Sequence, residues 1–155
     1  MSQLSDEAIL VEISQVGQTE KPLGSNWGHP VQDYLASVGI DFAASWCMAF
    51  QYWSFEQAAT KLGIPNPLIK TGGVLHAWQN ADSVNKIEDD PQAGDIFIMD
   101  LGKGTGHTGL VESVENGHIL STIEGNTNLT GAREGTTVEK KTRYNMLPII
   151  GYLRY

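Results

Sequence analysis

The sequence predicts an α+β fold in which helices come first and hairpin-linked strands follow, packed as an antiparallel sheet. Three observations predict it. Apolar residues recur at helical spacing up to residue 62, most clearly in MAFQYWSFEQAATKLG. From residue 94 onward the pattern changes to short apolar or alternating runs. Between two of those runs stands Asn116-Gly117, a strong hairpin signal because both residues tolerate the left-handed backbone of a type I′ turn.

Taken in order, residues 5–16 (SDEAILVEISQV) form the first predicted helix, with Ser5 placed to cap it. Ala8, Ile9, Val11 and Val16 supply an apolar face, and Glu12 is one of its acidic positions. Residues 17–30 read as a loop by their Gly, Pro, Ser and Asn content and carry Asn26, Trp27 and His29. Residues 31–38 form a short second helix ending at Gly39. In the central helix Met48, Tyr52, Phe55, Ala59 and Leu62 recur at steps of four and three. Ser45 is its N-cap candidate and Gly63 its stop. Trp46, Phe50 and Trp53 mark a second stripe, so most of this helix is expected to be buried. Residues 74–81 read as a short helix carrying His76 and Trp78, and the polar stretch 83–93 ends in a turn. Strands are predicted at 95–100, 107–114, 118–124, about 138–144 and 149–154, with glycine-rich loops at 101–106 and 125–137. The loop at 101–106 lacks the Lys-Ser/Thr pair and the spacing of a phosphate loop.

The length, 155 residues, fits a single domain over 1–155 that buries a core without disulfides or metal. A net charge of −8 and a pI near 4.8 argue against nucleic acid and against anionic membrane surfaces as partners. No stretch approaches about 18 consecutive apolar residues, the length a spanning helix needs. The N-terminal residues show neither a basic region nor a long apolar one, so no signal peptide is expected and synthesis in the cytoplasm is the default. Seventeen glycines exceed the roughly 7% of an average chain and point to many tight turns.

Cys47 is the only cysteine, which excludes an internal disulfide and a multi-cysteine zinc site. Its predicted place is the first turn of the central helix, where unpaired backbone N–H groups and the helix dipole favour negative charge on sulfur. The bland alternative is a buried structural cysteine. The hairpin weighs against that alternative. With a two-residue turn at Asn116-Gly117, Glu115 opposes His118, Val111 opposes Thr122, Gly109 opposes Glu124 and His107 opposes Asn126. His107, Glu124 and Asn126 then share one face at one end of the hairpin, and Gly109 leaves room for Glu124 to lean toward the imidazole. A three-residue loop would turn Glu124 to the other face unless a bulge restored it. A histidine oriented by a carboxylate and an amide is what a cysteine nucleophile requires.

The successive stretches SWCMAF, QAGDIFIMD, GHTGLVESV and IEGNTN resemble the motifs of CHAP domains, the cysteine, histidine-dependent amidohydrolases/peptidases of the papain-like clan, related to the NlpC-type peptidases. The upstream GSNWGHPVQDYL also resembles a stretch seen in many members, and the resemblance covers residues 8–155. It implies a papain-like fold with Cys47 as nucleophile, His107 as general base, Glu124 as the acidic orienting residue and Asn126 as the accompanying amide. It also implies a peptidoglycan substrate, cut at the muramoyl-alanine amide or within stem or cross-bridge peptides. Some members carry an acidic calcium loop; no such pattern occurs here, so no metal and no cofactor is assigned. No separate wall-binding domain is visible.

Asn26 and Trp27 are the candidate substrate-binding residues. His29, His76 and His118 read as structural or solvated. The expected protein is a monomer that acts in the periplasm or cell wall after non-classical export or lysis, and whether an inhibitor protein accompanies it is open. The rival readings are a non-catalytic peptide-binding pseudoenzyme of the same fold and an amidase of a small cytoplasmic amide.

Overall fold

The computed structural model describes residues 1–127 and 135–155. Helix α1 spans Gln3–Gln15, α2 Val31–Ser37, α3 Cys47–Leu62 and α4 Val74–Asn80. Strands follow at β1 Lys86–Ile87, β2 Ile96–Gly102, β3 Thr105–Glu115, β4 Ile119–Thr127, β5 Thr137–Tyr144 and β6 Ile149–Leu153. They form one antiparallel sheet in the order β1-β6-β2-β3-β4-β5. The α+β architecture is as expected, with Cys47 at a helix start. Segment 128–134 of the expected glycine-rich loop lies outside the described residues; 125–127 belong to β4 and Thr137 to β5, while 135 and 136 are loop as expected.

Helix α1 is capped three residues before the nominated position. Ser2 is the N-cap, and its hydroxyl accepts from the Ser5 N–H at 3.1 Å while Ser5 Oγ accepts from the Ser2 N–H at 3.0 Å. Ser5 is therefore the third helical residue of a reciprocal cap, not the cap itself. Helices α1 and α2 pack on α3, which lies against β3 and β4, while α4 lies against β2 and β3. Met48, Phe55, Ile96, Ile98 and Leu110 join the helix layer to the sheet. Phe97, Val111, Leu120 and Tyr152, one step out of phase along their strands, form a second buried cluster on the opposite face. Both faces of the central strands are thus covered, which explains why 96–99 reads as a continuous apolar run.

Two local expectations are corrected. Helix α3 is capped by Trp46, not Ser45, and no side chain of the first turn closes the cap. The Trp46 N–H instead donates to Asn126 Oδ1 at 2.7 Å, so a strand residue eighty positions away in sequence receives the N–H of the cap residue. The far end is as expected, with Gly63 left-handed at φ 68. The hairpin register is also more complex than a plain two-residue turn. Asn116 and Gly117 are both left-handed, and the His118 N–H donates to the Glu115 carbonyl at 3.1 Å. Pairing then resumes at Glu115 with Ile119, leaving His118 as an extra residue. A bulge between Val111 and Ser113 absorbs that residue, so Val111 faces Thr122 and Leu110 faces Ile123, the predicted register. The ladder stops there, and His107 and Asn126 are not paired partners.

Inside the α1–α3 seam lies Glu12, fully buried beside Gln51 and Ser54, where the sequence suggested an ordinary acidic position on an amphipathic helix.

Candidate active site

The first residue of α3 is Cys47, only 3% exposed and with no disulfide partner. The imidazole of His107 stands on β3, whose partner there is Met99 on β2. Its Nε2 lies 2.8 Å from Glu124 Oε1, both side chains shielded from solvent. The absence of a side chain at Gly109 makes this contact possible: a Cβ there would sit 2.5 Å from Glu124 Cγ and 2.8 Å from the Ile123 carbonyl.

Glu124 is held from three sides. Besides His107, it accepts from the Thr122 hydroxyl at 2.6 Å and from both arms of Arg143, Nε to Oε2 at 2.8 Å and Nη2 to Oε1 at 2.6 Å. Burial alone would raise its pKa, but the hydrogen bonds from Arg143 and His107 outweigh that and hold it down at about 2. An ionised carboxylate only accepts, so His107 Nε2 carries a proton and donates it to Glu124.

Burial would lower the His107 pKa, yet it is raised to about 9 by the Cys47 side chain first and Glu124 second. The remaining ring nitrogen, Nδ1, is buried and makes no hydrogen bond of regular geometry. The Cys47 side chain is thus a neighbour that raises the imidazole pKa without a regular hydrogen bond to Nδ1. The arrangement can hold a proton on the imidazole next to sulfur.

Asn126 does not approach the imidazole through the ladder. Its backbone is left-handed at φ 55, its Oδ1 accepts from the Trp46 N–H, and its Nδ2 donates to the Gly135 carbonyl at 2.7 Å. It ties the residue before Cys47 to the end of β4. The Trp46 ring is fixed as well, donating from Nε1 to Glu20 Oε1 at 2.9 Å.

A family model for the CHAP domain matches residues 39–126, more than half of the chain. The chain belongs to the CHAP domain family. That family consists of peptidoglycan amidases and peptidases, hydrolases of amide bonds. Cys47, His107, Glu124 and Asn126 all lie within the matched stretch of this CHAP domain, whereas Asn26, Trp27 and Arg143 lie outside it. The crystal structure of Ly7917 is similar to it, with a TM-score of 0.56, 19% sequence identity, and coverage of 97% of this chain and 61% of that chain. At that identity the likeness shows the fold, and the chain spans about three-fifths of the length of that structure. No curated protein sequence matches.

Outside the central cluster, the CHAP domain places Trp27 in the wall of an open cavity of about 540 Å³, with His29, Asp33, Ile40 and Asp41. Asn26, left-handed at φ 54, is not among the residues lining it. His29 pairs with Asp33 at 3.3 Å on the exposed surface, and His118 packs on Tyr144. Among the described residues no group of three or more His, Cys, Asp or Glu is placed to hold a metal ion, and no helix is long and apolar enough to cross a membrane.

Two side chains at Glu124 escaped the sequence reading. Thr122 sits two residues before it on the same strand face, a signal that was available. Arg143 stands opposite Leu120 on β5, and only its length brings it to Glu124.

Proposed function

We propose that this CHAP domain hydrolyses amide bonds of peptidoglycan, at the muramoyl-L-alanine amide or within stem or cross-bridge peptides, through an acyl-enzyme on Cys47. The observation that carries the reading is the imidazole of His107, fastened to the buried Glu124 carboxylate by Nε2 with its Nδ1 left unpartnered, its pKa raised by the Cys47 side chain and Glu124. In this scheme the proton of Cys47 rests on His107. The sulfur attacks the substrate carbonyl carbon and a C–S bond forms. The C–N bond then breaks as imidazolium gives its proton to the leaving nitrogen. Water, losing its proton to the now neutral imidazole, attacks the thioester and frees the sulfur. Glu124 orients and stabilises the imidazolium. The Cys47 backbone N–H, in the first helical turn and without an intrahelical carbonyl, is suited to receive the developing oxyanion. Asn126 keeps that turn in place through Trp46.

The 3% exposure of Cys47 is the observation favouring the rival, a non-catalytic module that grips a peptide. Incubating purified peptidoglycan with the protein and with its Cys47→Ser variant separates the two. The enzyme reading expects new termini by mass spectrometry from the wild type alone, and those termini identify the bond. It also expects turnover to fall as pH rises through about 9, where the imidazolium loses the proton the leaving group needs. Unchanged peptidoglycan with saturable peptide binding would establish the rival.

A further inference from the structure

Glu124 is completely buried, and its partner across the β4–β5 ladder is another acid, Glu139. Strand pairing alone thus places no positive charge beside it. Lys140, opposite Ile123, turns to the other face and pairs with Glu112; the nearer cation on the Glu124 face of β5 is Lys141, opposite Thr122, and that side chain lies 3.8 Å from Glu139 instead. Arg143, opposite Leu120, is the side chain that runs back along the strand to reach the carboxylate. Its contact there is a two-point fork, with Nη2 sharing Oε1 with His107 and Nε sharing Oε2 with Thr122. A single point contact would leave the carboxylate free to swing about its last bond. Two parallel donors plus the Thr122 hydroxyl define its plane and aim Oε1 at the ring.

We propose that Arg143 is a positioning residue: its guanidinium keeps the Glu124 carboxylate charged and in one orientation, and through it fixes the ring of His107. The inference rests on the amidase reading for its role in turnover, but the arrangement is measurable without turnover. Arg143 also has an open side. Its side chain is 18% exposed, and it lines a cavity of about 220 Å³ with Met99, Tyr144, Met146 and Leu147. A small guanidinium compound therefore has a path to the position that truncation would vacate.

The reason for the charge is physical. A fully buried carboxylate with one imidazole partner is expensive to keep ionised, and a guanidinium stays charged at every working pH. Lysine supplies the charge but not the fork, so it restores ionisation without orientation.

The experiment is a double-mutant cycle of Arg143→Gln and Glu124→Gln, read by peptidoglycan hydrolysis and, independently, by the rate at which iodoacetamide alkylates Cys47 across pH. In the wild-type background Arg143→Gln is expected to lower kcat by about a hundredfold with KM little changed. It should also move the acid limb of the alkylation profile upward by about one pH unit or more. In the Glu124→Gln background the same change should do almost nothing, because the group it positions is gone. Arg143→Lys should restore the acid limb but not kcat. Methylguanidinium added to Arg143→Ala should recover activity. A circular dichroism melt of each variant shows whether it folds, and an unfolded Arg143→Gln leaves the Lys variant to carry the comparison. Equal losses in both backgrounds, or an acid limb that stays in place, overturn the proposal. Wild-type protein that leaves peptidoglycan intact overturns the amidase reading instead, while the alkylation profiles still test Arg143.

Discussion

Glu12 and Glu124 are both fully shielded from solvent, and they end in opposite states. Glu124 has three partners and a pKa held down at about 2. Glu12, in the seam between α1 and α3, has a pKa raised well above its ordinary value of 4.5, burial being the main cause. Ser54 and Gln51 offset part of that rise, but neither forms a regular hydrogen bond to either carboxyl oxygen, and the Ser54 hydroxyl donates to the Phe50 carbonyl. Depth is therefore not what decides whether a glutamate is charged here. The count and geometry of donors decide it, and the strand end supplies donors while the helix seam does not.

The strongest way to break the contrast is Glu124→Gln. It removes the negative partner of a partly buried guanidinium and of the buried imidazole together. Hydrolysis should fall on the order of a thousandfold, and stability in urea should drop by about 3–5 kcal/mol, as for breaking a buried pair from one side. Retained activity within a factor of two would show that His107 needs no orienting carboxylate. Next comes Gly109→Ala, which leaves Glu124 its chemistry and takes its space. The added carbon cannot coexist with Glu124 Cγ at 2.5 Å, so turnover should fall about tenfold or more and stability by about 1–3 kcal/mol. An unaltered kcat would mean that the carboxylate reaches the ring from elsewhere.

Glu12→Gln probes the other side of the comparison, with the sign reversed. A buried acid with a raised pKa contributes most when protonated, below 4.5, and that contribution is lost as pH rises toward the raised value. Replacing it should leave stability at pH 4 nearly unchanged and increase it at pH 8 by on the order of 1 kcal/mol. Glu124 behaves oppositely: its contribution is present above 4.5 and lost as pH falls through about 2. Thermal melts of the two variants across pH should therefore diverge in opposite directions from the wild type. The smallest effect is expected from combining them. The charge of Glu124 also raises the Glu12 pKa, so the double variant should depart from additivity by no more than about 0.5 kcal/mol. A larger coupling would place the two carboxyls in one network.

The contrast also separates what the sequence made legible from what it did not. The apolar period of α3, Gly63 at its end and Asn116-Gly117 are local signals, and they located the main helix and the hairpin. Cys47, His107 and Glu124 stood out because their residue types match a nucleophile, a base and an acid, the roles proposed for them, and the structure pairs His107 with Glu124. Arg143 was not, since in VEKKTRY it is one charge in an alternating polar strand and its target lies diagonally across the sheet. Glu12 looked like any acidic helix position, because burial depends on a packed neighbour and not on its own run. The bulge that absorbs His118 is a compromise between turn and ladder, visible only when both exist. Trp46 is a poor cap by residue type, and Asn126 makes it one.

That last contact sets a timetable. Synthesis runs from the first residue to the last, and helices α1 to α3 emerge first. The thiol at position 47 is made early, but the amide that ties down its helix comes at 126, the base at 107 and the guanidinium behind the acid at 143. A nascent chain that ends before β3 can carry a folded helix and an untethered thiol with no imidazole beside it. Reactivity of the proposed kind thus arrives late in the assembly of this domain, after nearly every strand of the sheet is available to close around it.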